Sequence, residues 1–289
     1  METIFHAFGM SLCDVDLCLI KKQGFTAVQL NVIQPIKTGD EWYVSYQPLD
    51  FTIGNKFGSR EELIELCTKA KELGLKVIMD VVLRHTANLD GEDGKNIPSN
   101  NVASRLVDNP YFWTHSNNVT DYNRYNTIHG SFGLPMLDYN NWDLQDIYIE
   151  FLQDLKDCGI KGFRVDMGKH FGLKDEGSNF WERVFGRFSD MFNYAECLLD
   201  CDKLDVYGNI MNVITDGYLQ DHSKAVIFLM THDTELNEPF TTQHYTDELI
   251  ISEWAILDKR SSVLFYPRPN SNLWKSDKIR EINLRRKMS

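Results

Sequence analysis

The chain has 289 residues, of which 43% are hydrophobic and 25% are charged, and this composition is typical of a soluble globular protein with one large core. The formal net charge of −12 disfavours nucleic acid and anionic membranes as partners. No apolar run reaches the roughly 18 residues of a membrane span, and residues 1–12 lack the pattern of a signal peptide. Together with six scattered cysteines, which favour a reducing compartment, these features predict a cytoplasmic protein.

Short apolar runs alternate with helical patterns along most of the chain. This alternation predicts an α/β protein made of parallel βαβ units. It leaves a closed barrel and an open doubly wound sheet equally possible. The eight predicted strands are Ile4–Phe8, Ala27–Leu30, Lys76–Val82, Gly162–Val165, Phe192–Ala195, Met211–Ile214, Ala225–Met230 and Val263–Tyr266.

Four helices have clear signals in the sequence. Ser59–Glu62 is a capping box ahead of an apolar stripe, and Asp143 can cap a second helix that ends at Gly159. Two more helices are predicted at Thr242–Leu257 and Leu273–Arg286.

The stretch between the third and fourth strands has no clear helix up to Trp142. It is rich in Asn, Asp, Gly and Ser and reads as an insertion after the third strand. Loops of this length in compact domains are usually functional.

Residues able to do chemistry follow the predicted strands where each strand ends. Three are carboxylates, Asp166, Glu196 and Asp233, and three are histidines. In a barrel the carboxyl ends of all strands open on one face, so these side chains would converge. The histidines are His85, His170 and His232.

Carboxylates paired in one cleft suit cleavage of a glycosidic bond, in which one attacks as an anion and the other donates a proton. Arg164 lies two residues before Asp166, on the same strand face, and would keep Asp166 ionised. Repulsion from Asp233 would keep Glu196 protonated. A retaining mechanism predicts that the Asp166 and Glu196 carboxyl groups lie about 5–5.5 Å apart.

Six segments, in order along the chain, resemble motifs of the α-amylase family of retaining glycoside hydrolases. The resemblance covers nearly the whole chain. It implies a (β/α)8 TIM barrel at residues 1–85 and 141–289, a small inserted domain at residues 86–140, and no counterpart of the family's usual C-terminal β domain. The segments are Glu41–Pro48, Asp80–His85, Gly133–Asp138, Gly162–His170, Ala195–Glu196 and Thr231–Asp233.

The resemblance also implies residue roles, with Asp166 as nucleophile, Glu196 as acid/base and Asp233 as the carboxylate that stabilises the transition state. It implies endo-acting cleavage of α-1,4-glucosidic bonds in starch, glycogen or malto-oligosaccharides. The pair Lys169–His170 favours amylase-like over exo-glucosidase-like members. The substrate-binding residues that it implies are Trp42, Tyr43, Tyr46, Gln47, His85, Arg164, Lys169, His170 and His232.

In one respect the sequence departs from the family. Members commonly hold a calcium ion between the barrel and the inserted domain, through an Asn before the histidine of strand three, an Asp of the insertion and a backbone carbonyl near the Lys-His pair. Here Arg84 and Met136 occupy the Asn and Asp positions. Calcium requires oxygen ligands, which neither side chain offers, so no calcium and no other cofactor is predicted. Arg84 would instead bond carbonyls or an acid such as Asp138, or point into solvent.

Other interpretations remain open at this stage. Taken alone, Asp166 is better interpreted as a helix cap at a strand end and Arg164 as its structural ion-pair partner, and only Glu196 and Asp233 in register reverse this. A metal-dependent hydrolase would use His85, His170, His232 and Asp233 as ligands, although Arg164 would repel the cation. The same barrel could also serve as a catalytically impaired α-glucan-binding or partner module, or act as an α-glucanotransferase or α-glucosidase.

Overall fold

The computed structural model describes residues 1–92, 94–114, 116–199, 201–237 and 242–287. Eight parallel strands, β1 to β8, form a closed barrel in which each strand pairs with its neighbours in chain order and β8 returns to β1. The open-sheet alternative is therefore excluded, and the predicted (β/α)8 TIM barrel is confirmed. The strands are Thr3–His6, Ala27–Leu30, Lys76–Val81, Gly162–Val165, Tyr194–Glu196, Asn212–Ile214, Ala225–Phe228 and Ser262–Phe265.

Nine α-helices, α1 to α9, occur in the described parts of the chain. Two of them, α3 and α4, lie in the stretch where the sequence shows no clear helix, because each is only one or two turns long. They are Leu17–Lys22, Arg60–Glu72, Ser104–Val107, Arg124–His129, Trp142–Asp157, Phe180–Arg183, Leu204–Ile210, Asp247–Ile256 and Asp277–Lys287.

The helix boundaries confirm one predicted cap and correct another. The Ser59 hydroxyl accepts from the backbone N–H of Glu62, and the Glu62 carboxylate accepts from the backbone N–H of Ser59. Helix α2 therefore begins with the expected capping box. In contrast, Asn141 caps α5 by accepting from the backbone N–H groups of Asp143 and Leu144. The predicted Asp143 cap is wrong, and Asp143 instead lies in the first turn, where its charge favours the helix dipole.

Two C-terminal helices are shorter than predicted for local reasons. Thr246 caps α8, while the Thr242 hydroxyl donates to the Glu235 carboxylate at 2.7 Å and is thereby held outside the helix. The stretch predicted as a single helix at Leu273–Arg286 is a short 3-10 turn followed by α9, because Ser276 is extended with ψ of 151°.

Two apolar clusters hold the barrel together. One fills its interior with side chains from seven of the eight strands, and the other packs the outer strand faces against the helices. Because both faces of the strands are buried, the strands are nearly continuous apolar runs. The interior cluster consists of Ile4, Ala27, Ile78, Tyr194, Ile214, Val226 and Leu264.

The link between β6 and β7 contains little regular structure. Residues 215–224 contain only a 3-10 turn at His222–Lys224. None of the described helices combines the length and apolar character needed to span a bilayer.

Candidate active site

The predicted carboxylates lie at the carboxyl ends of barrel strands. Asp166 directly follows β4, Glu196 is the last residue of β5, and Asp233 begins the turn Asp233–Asn237 beyond β7. Because the strands are parallel in a closed barrel, all three side chains lie at the same end of it.

Arg164 of β4 is the centre of the site. Its Nη1 donates to Asp166 Oδ1 at 2.8 Å and to Asp80 Oδ1 at 2.9 Å, and its Nη2 donates to Glu196. Asp166 and Glu196 therefore share one guanidinium. Arg164 is 3% exposed, so these contacts are shielded from water and salt.

Burial sets the charge state of this cluster. It raises the pKa of Asp166 well above its ordinary value; Arg164 opposes this shift, while Glu196, Asp80 and Asp233 add to it. Burial likewise raises the pKa of Asp80 against the attraction of Arg164. The sequence-based argument considered only the attraction of Arg164 for Asp166, whereas burial acts in the opposite direction and is the larger effect.

The backbone after β4 is shaped to bring its residues against β5. Met167 adopts a left-handed conformation with φ of 52°, and its N–H donates to Glu196 Oε2 at 2.9 Å. A Cβ on Gly168 would lie 2.7 Å from the Ala195 Cβ and 2.8 Å from the Glu196 nitrogen. Only glycine allows this approach.

The three histidines predicted for the site are buried and neutral. His85 Nε2 donates to the Tyr46 carbonyl at 2.8 Å, and His170 Nδ1 donates to the Thr127 carbonyl at 2.9 Å. Burial lowers the pKa of His85 to about 4 and that of His170 to about 3, and lowers the pKa of His232 well below its ordinary value. The Nε2 atom of His232 lies 3.4 Å from the Oδ2 atom of Asp233.

The aromatic residues after β2 lie beside these histidines. Trp42–Tyr46 forms a 3-10 turn. The Tyr46 hydroxyl donates to Asp80 at 2.8 Å, and its ring lies parallel to that of His232 with centroids 5.2 Å apart. Trp42 packs edge-on to His232 at 5.5 Å. Tyr46 thus contacts Asp80 of the carboxylate cluster, and Trp42 contacts His232 beside Asp233.

The two remaining residues of this segment differ in exposure. Tyr43 is exposed and contacts Trp42 edge-on. Gln47 is buried, and its amide oxygen has no hydrogen-bond partner among the described residues.

Lys169 is held by the loop after β5. Its Nζ donates to the carbonyls of Leu198 and Leu199 at 2.6 and 3.1 Å. Lys169 lines a cleft of about 500 Å³ together with His170, Glu196 and Asp233. A larger cavity of about 810 Å³ has an entirely different lining, around Trp181 and Phe185 on the outside of the barrel.

One important residue was not singled out from the sequence. Asp80 of β3 pairs in register with Arg164 and is 1% exposed. A charged residue in an otherwise apolar barrel strand needs an ionic partner, and this signal could have identified it.

Residues 86–140, between β3 and α5, are called the inserted segment. Arg84 and Met136 lie where this segment meets the barrel, and both are buried. Arg84 donates to three backbone carbonyls, those of Leu137 at 2.6 Å, Ile128 at 3.0 Å and His170 at 3.3 Å. Its guanidinium therefore bonds carbonyls and does not point into solvent.

The metal-dependent alternative gains no support from this arrangement. His85 and His170 each use a ring nitrogen to bond a backbone carbonyl. Within the described residues, no group of three or more His, Cys, Asp or Glu side chains is arranged to hold a metal ion.

A barrel with a carboxylate cluster at the carboxyl ends of its strands is an arrangement that enzymes use for many reactions, glycoside hydrolysis among them. Residues 16–253 match the family described as "Alpha amylase, catalytic domain". The chain therefore belongs to the α-amylase family of glycoside hydrolases, as the sequence motifs predict.

Several known proteins that resemble this chain in sequence or fold are α-amylases. An α-amylase of Clostridium acetobutylicum is 31% identical over 97% of the chain, and one of Butyrivibrio fibrisolvens is 26% identical over 93%. The chain spans only 42% and 35% of the lengths of these relatives. The solved α-amylase of Geobacillus thermoleovorans, complexed with acarbose, shares the fold, with a TM-score of 0.74 and 18% identity over 100% of this chain and 79% of that one.

The buried histidines predict an acid-sensitive fold. The pKa of His6 is about 3, that of His85 about 4 and that of His170 about 3, whereas an unfolded chain titrates near 6.5. At these three positions only the unfolded state gains protons as the pH falls below 6.5, so we expect each histidine to lower the free energy of unfolding by up to about 1.4 kcal/mol per pH unit. Urea unfolding at pH 7.5, 6.5 and 5.5 measures this slope.

Two variants test whether the buried histidines cause this pH dependence of the unfolding free energy. His6→Gln removes a buried titrating group and should make the dependence shallower, whereas His244→Gln, at an exposed position, should leave it unchanged. Equal slopes for both variants would contradict the argument.

The Gly168 contact predicts a steric effect of a single methyl group. Gly168→Ala should destabilise the fold by about 1–3 kcal/mol, because rigid backbone blocks the added carbon. Gly186→Ala is the matched control, since a Cβ there meets nothing within 4 Å. Urea unfolding that found the two variants equally stable would count against the close approach.

Proposed function

We propose that the chain is a retaining glycoside hydrolase that cleaves α-1,4-glucosidic bonds within starch, glycogen or malto-oligosaccharides. The single observation that carries this proposal is that Asp166 and Glu196 share the Arg164 guanidinium at the open end of the strands. The family supplies the reaction class, and the acarbose complex of the Geobacillus enzyme is consistent with a glucan-like ligand.

In the proposed reaction, Asp166 attacks the anomeric carbon and Glu196 gives a proton to the departing glycosidic oxygen. Water then attacks the glycosyl ester, returns a proton to Glu196 and releases Asp166. This mechanism requires Glu196 to carry the proton in the reactive form and Asp166 to be charged beside Arg164. This double displacement calls for carboxyl groups about 5–5.5 Å apart.

Other side chains bind the sugar in this proposal. Asp233 accepts hydrogen bonds from sugar hydroxyls as positive charge develops on the ring. His85 and His232, which are buried beside Tyr46, line the same side of the site in this proposal. Tyr46, fixed by Asp80, supplies an aromatic surface there, with Trp42, Tyr43 and Gln47 at neighbouring sugar positions.

Two isosteric substitutions test the catalytic roles. Asp166→Asn should lower turnover of a malto-oligosaccharide at least about a thousandfold, because the nucleophile is lost. Glu196→Gln should slow natural substrates much more than substrates with an activated aryl leaving group, which needs no proton.

Matched controls make the same chemical changes elsewhere. Asp190→Asn and Glu182→Gln remove only exposed ion pairs, so both variants should keep wild-type rates. A Glu196→Gln variant slowed equally on both substrate types would contradict its acid role. Products with inverted anomeric configuration would contradict the nucleophile.

The alternatives differ in what they produce. A catalytically impaired binding module binds malto-oligosaccharides without turnover. An α-glucanotransferase lengthens part of a short malto-oligosaccharide series, and an α-glucosidase releases glucose from chain ends. Product analysis of that series separates these outcomes from endo-acting hydrolysis.

We also propose that Arg84 replaces the calcium ion common in the family. The residues here do not fit such an ion, because a guanidinium bonds the His170 carbonyl and Met136 offers only a thioether. Arg84 joins the inserted segment, through the Leu137 and Ile128 carbonyls, to the barrel. The charge of Arg84 is further stabilised by the Tyr139 ring, whose centre lies 4.8 Å from the guanidinium carbon.

The Arg84 proposal predicts that stability depends on arginine and not on metal. A chelator should leave the melting temperature of the wild type unchanged. Arg84→Met should lower stability by roughly 3 kcal/mol, since buried carbonyls lose their donors, which corresponds to roughly 6–12 °C. Arg105→Met, which removes an exposed pair with Asp50, is the control. A wild-type melting temperature that falls when chelator is added would overturn the proposal.

A further inference from the structure

Asp233 is held in the site in a different way from the other two carboxylates. The Asp166 side chain is 10% exposed and that of Glu196 is 14% exposed, and both bond the buried Arg164. The Asp233 side chain is 31% exposed and belongs to Asp233–Asn237, a single turn of π-helix beyond β7. Because burial holds this carboxylate less firmly, its placement depends on the contacts that fix the turn.

The start of this turn is closed by hydrogen bonds within it. The Thr231 N–H donates to the Thr234 hydroxyl at 3.0 Å, and the Glu235 N–H donates to the Thr231 carbonyl at 3.1 Å. Asp233 therefore lies inside a hydrogen-bonded turn that runs from Thr231 to Glu235. A shift of Glu235 would rotate this turn about the end of β7, and Asp233 would move with it.

The Glu235 carboxylate is buried and is anchored by two other side chains. Its Oε1 lies 2.6 Å from Arg268 Nε. Its Oε2 accepts from Arg268 Nη2 at 3.3 Å and from the Thr242 hydroxyl at 2.7 Å. Paired contacts between a guanidinium and a carboxylate fix the geometry of both groups. A buried ion pair is weak evidence for stability and can instead select one conformation, so this pair fits a positional role.

Arg268 is a rigid partner for this carboxylate. It follows β8 and lies between Pro267 and Pro269, and both prolines restrict the backbone around it. Its Nη1 donates to the Tyr245 carbonyl at 2.7 Å, and its Nη2 donates to the Thr242 carbonyl. One guanidinium therefore joins the end of β8 to the turn after β7 and to the segment before α8.

We propose that the ion pair of Glu235 and Arg268 positions the Asp233 carboxylate for the reaction. Neither side chain of the pair is among the described residues that line the cleft of Glu196 and Asp233, so both act through Asp233 and not on the sugar. Hydrogen bonds that strengthen in the transition state need an accurately placed acceptor, and a small displacement costs rate more than binding. This inference rests on the proposed function and assigns two positioning residues to it.

A double-mutant experiment tests whether the ion pair acts through Asp233. Glu235→Gln keeps the size of the side chain and an acceptor for Thr242, but it removes the charge. On p-nitrophenyl α-maltotrioside we expect it to lower kcat about tenfold and to change KM less than about twofold. This activated substrate needs little help from the acid, so slow variants stay measurable. In an Asp233→Ala background the same substitution should change kcat less than about twofold, because the group that the pair positions is gone.

Arg268→Lys gives a second measurement that does not leave a buried charge unpaired. The ammonium keeps the charge beside Glu235 but cannot reproduce the forked bonds of the guanidinium. We expect a smaller loss of kcat, about threefold, which should again disappear in the Asp233→Ala background.

Glu176→Gln is the matched control, because it breaks an equally buried ion pair elsewhere in the chain. The side chains of Arg124 and Glu176 are 19% and 12% exposed, and those of Arg268 and Glu235 are 19% and 11% exposed. The two glutamine variants should therefore lower the melting temperature by similar amounts. Glu176→Gln should change kcat by the same factor in both backgrounds, and only Glu235→Gln should depend on Asp233.

The outcomes separate this inference from the function on which it rests. The positioning role is wrong, and the hydrolase remains, if Glu235→Gln leaves kcat unchanged or lowers it by the same factor in both backgrounds. If the wild type does not cleave the substrate, or Asp233→Ala cleaves it at the wild-type rate, the proposed role of Asp233 fails and the inference fails with it.

Discussion

A single buried guanidinium, that of Arg164, determines how the active end of this barrel is arranged. It bonds Asp80 of β3, Asp166 after β4 and Glu196 of β5. Three carboxylates in a nearly dry interior would repel one another and lose hydration. The shared cation makes their assembly possible. The bonds of Arg164 therefore hold three strand ends together at the carboxyl end of the barrel.

Much of the fold was predictable because it depends on local pattern. All eight strands were expected at nearly their observed positions, since buried parallel strands are short apolar runs. The capping box before α2 follows from hydrogen bonds within four residues. Closure into a barrel did not follow from the alternation of elements and needed the family motifs. The caps at Asn141 and Thr246 were missed because several nearby residues could serve equally well.

The shared location of Asp166, Glu196 and Asp233 at one end of the barrel was predictable, because the end of a strand fixes where the next side chain lies. The site was not predictable where long-range packing decides. The sequence places Lys169 next to His170 but does not show that its ammonium bonds two carbonyls of the loop after β5. Nor does it show that burial outweighs Arg164 in setting the pKa of Asp166, because that balance depends on every neighbour packed around the carboxylate.

The junction between the inserted segment and the barrel has a consequence for how this protein can diverge. Side chains of the barrel, Arg84 and His170, bond backbone carbonyls of the segment at Thr127, Ile128 and Leu137. Every residue type offers a carbonyl, so these bonds survive replacement of the side chains at those positions; Arg124, whose own side chain reaches back to the barrel, is an exception. The rim of the cleft can therefore acquire new side chains by point mutation while these bonds stay the same, so the ligand preference of the cleft can change without altering the carboxylate cluster.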